Sequence, residues 1–240
     1  MQFFRVVAVL GAVGLWASCS DAGSRPLTVG LDSGVGLGLD AGTAEPLGGS
    51  AIDADPTGSA VNPVGPTYPT EDLGGRPRKG SQAGQHFPNL TFEGLLSAAT
   101  AATPAAVTMA DYYDPDGLHY DLLHVMAIFL WCPHCSNETT AVSKIASWQS
   151  AHRVATLQIA MQGYGGAAPT WAELQKWATD HNVGFPVVAD AKGAQLGAYF
   201  PVGSVPVNIM VSPRTMEVLA VDIGEQGDIQ AYEQGFLNSL

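Results

Sequence analysis

Apolar residues are distributed unevenly along this 240-residue chain. From about residue 84 onward they form short runs that alternate with helix-compatible segments. The most continuous run, 125–131, has the length and composition of a central strand buried on both faces. A helical pattern over 136–149 follows it directly. This alternation predicts an α/β fold in which helices connect the strands of a parallel sheet.

The rest of this region repeats the pattern. We predict further strands at 154–161, 185–189, 207–212 and 217–222. The capping box Thr170–Glu173 begins a helix whose apolar residues share one stripe. We also predict a short helix over 194–200 and a final amphipathic helix over 228–240. The turn residues 114–117 lie between aromatic residues, which indicates a hairpin or a strand entry.

The first 83 residues have a different composition. Arg5 precedes an apolar region, 6–16, that is shorter than a membrane span, as in an export signal. Residues 20–83 are rich in Gly, Pro, Ala, Ser and Asp, and such a segment buries too little apolar surface to offset its ordering entropy. We therefore predict a signal at 1–19, a tether at 20–83 and a folded domain at 84–240.

Charge and cysteine content narrow the possible functions. The formal net charge is −12, from 22 acidic and 10 basic residues. Nucleic-acid binding requires a basic surface, so we expect no such partner. Three cysteines are too few for a disulfide scaffold.

Two of these cysteines lie in Trp131-Cys132-Pro133-His134-Cys135, between the central strand and its helix. Open α/β sheets carry their chemistry at this position. The helix N-terminus stabilises a thiolate through its free N–H groups and its dipole. Cys132 is therefore the expected attacking sulfur, and Cys135, one turn further in, the resolving one. Pro133 fits the first helical turn, and His134 would lower the pKa of Cys132 further.

The same cysteine spacing also occurs in zinc sites. Zinc needs about four ligands, however, and the chain has no second cysteine pair. A c-type haem would need His where Ser136 stands. We therefore favour a redox pair that needs no cofactor or metal. A metal-delivery or haem-delivery module with Cys132, His134 and Cys135 as ligands is an alternative.

The Trp-Cys-Pro-His-Cys motif resembles the active site of the thioredoxin superfamily. Its Pro133-His134 pair is similar to that of DsbA-type disulfide oxidases, and the spacing from Cys135 to Glu138 resembles TlpA-like redoxins. Residues 84–90 resemble the entry strand of redoxins. The resemblance covers 84–240 and implies a thioredoxin-like fold: a central mixed sheet flanked by helices, with a redoxin-type helix–strand insert at about 170–190.

This resemblance also implies further site residues. Pro206 stands where the family has a cis proline beside the cysteines; the alternative is an ordinary trans proline at a strand start. Val205 would present its backbone to an extended substrate peptide, and Trp131 is expected to contact substrate. Met126 replaces the buried acid of thioredoxin, so Glu138 or His124 would have to assist proton transfer, although we expect His124 to be a packed or edge residue.

At the N-terminus, Ala17-Ser18-Cys19 resembles the lipobox of bacterial lipoproteins. The resemblance implies that Cys19 carries lipid and holds the protein on the periplasmic side of a membrane. An ordinary signal peptide, and therefore a soluble exported protein, is the alternative.

Together these patterns predict an extracytoplasmic, membrane-tethered thiol–disulfide oxidoreductase. Its partners would be exported proteins, or a redox partner, with exchangeable thiols. A redoxin-type peroxidase is an alternative, but Phe129 occupies the place of the Thr or Ser that peroxiredoxins carry before their reactive cysteine.

Overall fold

The computed structural model describes residues 67–69, 84–97 and 103–240. The predicted signal, Cys19 and most of the predicted tether lie outside these residues. Seven strands are present: β1 (Thr91–Leu95), β2 (Ala105–Thr108), β3 (Leu122–Phe129), β4 (Val154–Gln162), β5 (Val187–Ala189), β6 (Val207–Ser212) and β7 (Glu217–Ile223). The α-helices are α1 (Pro133–Lys144), α2 (Ala146–Ala151), α3 (Trp171–Asp180) and α4 (Ile229–Leu237).

All seven strands form one mixed sheet in the order β2-β1-β5-β4-β3-β6-β7. Strand β4 runs parallel to both β3 and β5, whereas β6 is antiparallel to β3 and to β7. Strand β1 is antiparallel to β5 and β2. The expected central mixed sheet flanked by helices is confirmed, and α3 and β5 form the expected helix–strand insert.

Strand β3 lies between β4 and β6 and has side chains in the core on both faces. Leu123, Val125 and Ala127 pack into one apolar cluster. Met126 and Ile128 pack into a second cluster on the opposite face, which also contains both cysteines of the motif. Because successive strand residues point to opposite faces, this continuous apolar run is what places β3 inside the sheet.

Two helical predictions needed correction. The helical segment predicted over 136–149 begins at Pro133, as expected for a proline of the first turn, but it divides at Ile145 into α1 and α2. The short helix predicted over 194–200 is replaced by two 3₁₀ turns, Ala191–Gly193 and Leu196–Ala198. The Asp190 carboxylate accepts the N–H groups of Gln195 and Leu196, and such local bonds compete with a regular helix.

Of the two arrangements predicted for residues 114–117, a hairpin or a strand entry, the structure shows the strand entry. The carboxylate of Asp114 accepts the backbone N–H groups of Leu118, His119 and Tyr120 at 3.2, 2.6 and 2.8 Å. The chain therefore closes into a loop around this side chain and then enters β3.

The folded core also includes a residue of the predicted tether. Tyr68 is 2% exposed, and its hydroxyl donates a hydrogen bond to the Phe87 carbonyl at 2.7 Å. Its ring lies 5.7 Å from that of Tyr113. The core thus reaches beyond the boundary predicted at residue 84. Among the described helices, none is long and apolar enough to cross a membrane.

Candidate thiol–disulfide active site

The two cysteines lie at the carboxyl end of β3, where α1 begins. Cys132 is the N-cap of α1, with Pro133 at the first helical position. The Cys132 N–H donates to the Phe129 carbonyl at 3.0 Å, which forms a tight turn between strand and helix. Cys132 is 5% exposed and Cys135 is 0% exposed. Cys132 is therefore the more accessible of the two sulfurs.

The environment separates the two thiols chemically. A hydrogen bond from Cys135 is the main reason that the pKa of Cys132 falls to about 6, and the helix N–H groups and His134 add to it. Burial raises the pKa of Cys135 far above its usual range. At neutral pH the reduced pair therefore carries a thiolate at Cys132 and a thiol at Cys135, which suits an attacking and a resolving sulfur.

His134 is exposed and has a partner that the sequence did not indicate. Its Nδ1 lies 2.7 Å from Oε2 of Glu225, which follows β7. This hydrogen bond is the main reason that the pKa of His134 is raised. A protonated His134 places a positive charge near Cys132 and stabilises its thiolate.

The backbone of Val205 lies beside Cys132, and Pro206 follows it in the chain. The Val205–Pro206 peptide bond is cis, as expected. The Sγ of Cys132 lies 3.8 Å from the Val205 carbonyl oxygen, so this backbone group borders the sulfur.

Trp131 forms an exposed apolar edge beside Cys132. Its side chain is 44% exposed and stacks on Phe129 at a ring distance of 5.4 Å. Its indole N–H donates to Gln162 Oε1 at 2.9 Å, which fixes the ring orientation. The structure thus brings together every predicted site residue except Cys19, which lies outside the described residues.

Glu138 lies one turn beyond Cys135 on α1 and is completely buried. Burial raises its pKa to about 7. Two groups donate hydrogen bonds to Oε1 of Glu138: the Gln226 N–H at 2.8 Å and Asn208 Nδ2 at 3.1 Å. Both bonds limit the rise in the pKa of Glu138. A carboxyl with a pKa near neutrality can accept and return a proton. Met126 is buried and apolar.

His124 is packed in the central strand and is not at an edge. Its nitrogens lie 2.8 Å from Glu233 Oε1 and 2.8 Å from Asn208 Oδ1. The sequence analysis missed Asn208 and Glu233. Glu233 falls on the same face of the last helix as Ile229 and Tyr232, and a charged residue at a core position is a signal that could have found it.

No metal-binding cluster occurs in the described part of the chain: it contains no group of three or more His, Cys, Asp or Glu side chains that could hold an ion. The described part of the chain also has a cavity of about 540 Å³, and its lining includes Tyr112, Tyr120, Arg153 and Phe185. None of the site residues described above lines this cavity.

Comparison with known proteins supports the fold. No family model matches the chain, and no curated protein matches it. Solved structures do. One is a candidate thiol:disulfide interchange protein DsbE from Chlorobium tepidum, at 15% identity and a TM-score of 0.50, covering 66% of this chain and 96% of that one. Another is the thioredoxin domain of a thiol-disulfide oxidoreductase from Bacteroides vulgatus, at 17% identity and a TM-score of 0.50, covering 66% and 99%. The protein therefore has a thioredoxin-like fold, which these oxidoreductases share.

Proposed function

We propose that this protein is an extracytoplasmic thiol–disulfide oxidoreductase, tethered to a membrane by lipid on Cys19. The observation that carries the proposal is the difference between the two thiols. Cys132 is a low-pKa sulfur at a helix N-terminus, and its neighbour Cys135 is a buried thiol of raised pKa. A nucleophile paired with a resolving thiol is what disulfide exchange requires.

Reduction of a substrate would proceed in two exchanges. The Cys132 thiolate attacks one sulfur of a substrate disulfide; a bond forms between them, the substrate S–S bond breaks, and the other substrate sulfur leaves as a thiolate that takes a proton. Cys135 then loses its proton and attacks Cys132 Sγ, which releases the second substrate thiolate. Two electrons pass to the substrate, and the enzyme retains a Cys132–Cys135 disulfide. Oxidation of a dithiol is the same sequence reversed.

Glu138 is the proposed acceptor for the Cys135 proton. It is buried one helical turn from Cys135, and its charge acts on that thiol. Because its pKa is about 7, Glu138 takes up the proton when Cys135 attacks and returns it when the pair is reduced. Glu138 thereby supplies the proton acceptor that the apolar side chain of Met126 cannot provide.

The surface around Cys132 fits an extended polypeptide. The Val205 carbonyl can accept an N–H from a substrate strand, and exposed Trp131 offers an apolar contact beside the reactive sulfur. We therefore propose that exported proteins, or a redox partner that presents a thiol on an extended segment, are the substrates.

The direction of net electron flow follows from the reduction potential of the pair. Related dithiols range from about −120 mV in strong oxidants to about −270 mV in thioredoxin. Equilibration with glutathione buffers measures this potential. A potential of about −120 mV would assign disulfide formation, and a potential of about −270 mV would assign disulfide reduction.

Single cysteine substitutions test the exchange mechanism. Cys132→Ser should abolish exchange with a model disulfide, whereas Cys135→Ser should retain the first attack and accumulate a mixed disulfide on Cys132. Cys19→Ser is the matched control, because it removes a cysteine without touching the site. It should keep exchange and lose membrane association. Full activity in Cys132→Ser would refute the assignment.

A further inference from the structure

A buried polar network lies behind the candidate active site and joins three elements of the fold. His124 of β3 contacts Glu233 Oε1 of α4 and Asn208 Oδ1 of β6, each at 2.8 Å. Asn208 Nδ2 donates in turn to Glu138 Oε1 and to the Gly224 carbonyl, each at 3.1 Å. The network therefore links the acid beside Cys135 to a histidine and a second acid that the exchange mechanism does not use.

The hydrogen-bond partners define where the protons lie. The Gly224 carbonyl can only accept, so the amide nitrogen of Asn208 faces it and Oδ1 faces His124. Nε2 of His124 must then carry a hydrogen. Glu233 Oε1 also accepts from Gln149 Nε2 at 2.8 Å, which favours a carboxylate and a protonated Nδ1 on His124. An imidazolium in contact with a carboxylate satisfies all of these contacts.

This charge acts on Glu138. Burial alone would lower the pKa of His124, but the hydrogen bond and charge of Glu233 raise it overall. The positive charge of His124 in turn opposes the effect of burial on the pKa of Glu138. The amide of Asn208 neither gains nor loses a proton. The coupling is therefore electrostatic and orientational, and protons do not pass along it.

The cost of this arrangement also points to a role beyond stability. His124 and Glu233 are both completely buried, and Glu233 Oε2 has no hydrogen-bond partner in the structure as described. Well-packed apolar residues often match or exceed the stability of a buried ion pair. These charges therefore add little to the stability of the fold, but they place a positive charge on His124 near the carboxyl group of Glu138.

We propose that His124 and Glu233 are positioning residues that keep Glu138 available as a carboxylate at neutral pH. Asn208, which is bonded to both His124 and Glu138, fixes the positions of these two side chains relative to each other. This inference rests on the proposed thiol–disulfide exchange. Four further ionisable groups face the network from the elements packed around it: Cys135 on α1, Asp222 on β7, Glu225 after β7 and Tyr232 on α4.

Glu233→Gln tests the inference because it keeps the shape and removes the charge that holds the proton on His124. The side-chain carboxyl carbon of Glu138, followed by ¹³C NMR and assigned by its loss in Glu138→Gln, should titrate about one pH unit higher. The carboxylate fraction at pH 7 then falls from about one half to about one tenth. Resolution of the mixed disulfide should slow about fivefold at pH 7, and the difference should disappear near pH 9.

A purely structural role would slow the reaction equally at every pH. Asp190→Asn is the matched control, because it also removes a buried carboxylate, one whose partners are the N–H groups of Gln195 and Leu196. It should leave the Glu138 titration unchanged. A folded Glu233→Gln protein with an unchanged Glu138 titration overturns the inference and leaves the exchange mechanism intact.

A measurement on the unaltered protein keeps the inference testable if Glu233→Gln does not fold. ¹⁵N NMR of His124 should show both ring nitrogens protonated at pH 7, and a neutral ring at pH 7 overturns the proposal. Conversely, a protein that shows the charged ring and the expected shift in Glu233→Gln, but exchanges no disulfide, refutes the proposed function alone.

Discussion

Replacing Glu138 by Gln should stabilise the reduced protein at alkaline pH, although it removes a residue of the proposed mechanism. Glu138 is 0% exposed, and burial raises its pKa from an ordinary 4.5 to about 7. The folded state therefore binds this proton more tightly than the unfolded chain does. Stability from this group is complete below pH 4.5 and is lost as the pH rises through 7.

The size of the loss follows from the gap between the two pKa values. That gap is about 2.5 pH units, and each unit corresponds to about 1.36 kcal/mol. The free energy of unfolding of the wild-type protein should therefore fall by about 3 kcal/mol, relative to Glu138→Gln, between pH 4 and pH 8. Cys132 titrates in both proteins, so its contribution largely cancels in the difference.

Urea unfolding with excess reductant, at intervals from pH 4 to pH 8, measures this difference. Glu93→Gln is the matched control, since it makes the same chemical change on an exposed position of β1. Its unfolding free energy should follow that of the wild type. Parallel curves for the wild type and Glu138→Gln would show that the buried acid is not held protonated, and would refute the reasoning.

Three further predictions concern the reactive sulfur and its surroundings. Alkylation of Cys132 should reach half its maximum rate near pH 6 and level off above it. Cys135→Ala should move this midpoint to higher pH, because the hydrogen bond that most stabilises the Cys132 thiolate is lost. An unmoved midpoint would contradict the role given to that hydrogen bond. Glu225→Gln should lower the pKa of His134 and so reduce the thiolate fraction of Cys132 above that pKa, seen as slower alkylation at pH 7 than in wild type. Trp131→Ala should raise KM for a peptide disulfide about tenfold, as expected for loss of an exposed aromatic contact, while the reduction potential measured in glutathione buffers stays the same.

The local parts of the site could be predicted from the sequence. A strand-length apolar run followed by a helix start is a pattern of neighbouring residues, and it placed Cys132 at the N-cap and Cys135 inside the first turn. The capping box at Thr170 and Glu173 likewise needs only four consecutive residues, and it begins α3 as predicted. In each case the interaction that fixes the structure lies within one turn of chain.

The parts that the sequence did not reveal depend on pairs that are distant along the chain. His124 and Glu233 are 109 positions apart, His134 and Glu225 are 91 apart, and Asn208 and Glu138 are 70 apart. No periodicity connects such residues, because the sheet order and the docking of α4 bring them together. The choice between a hairpin and a strand entry at residues 114–117 depends instead on a local side-chain contact: Asp114 binds three backbone N–H groups of the loop that leads into β3.

The burial of Tyr68 sets a lower limit on the smallest fragment that can fold independently. A chain trimmed at residue 84, where the composition changes, would retain Cys132, Cys135 and strands β1 to β7. It would lose the Tyr68 ring from the core and the hydroxyl that donates to the Phe87 carbonyl. Loss of a large buried aromatic side chain typically costs about 3–5 kcal/mol, a large share of the 5–15 kcal/mol that stabilises an ordinary domain. A fragment that begins before residue 67 should therefore be more stable than one that begins at residue 84, by about 3–5 kcal/mol.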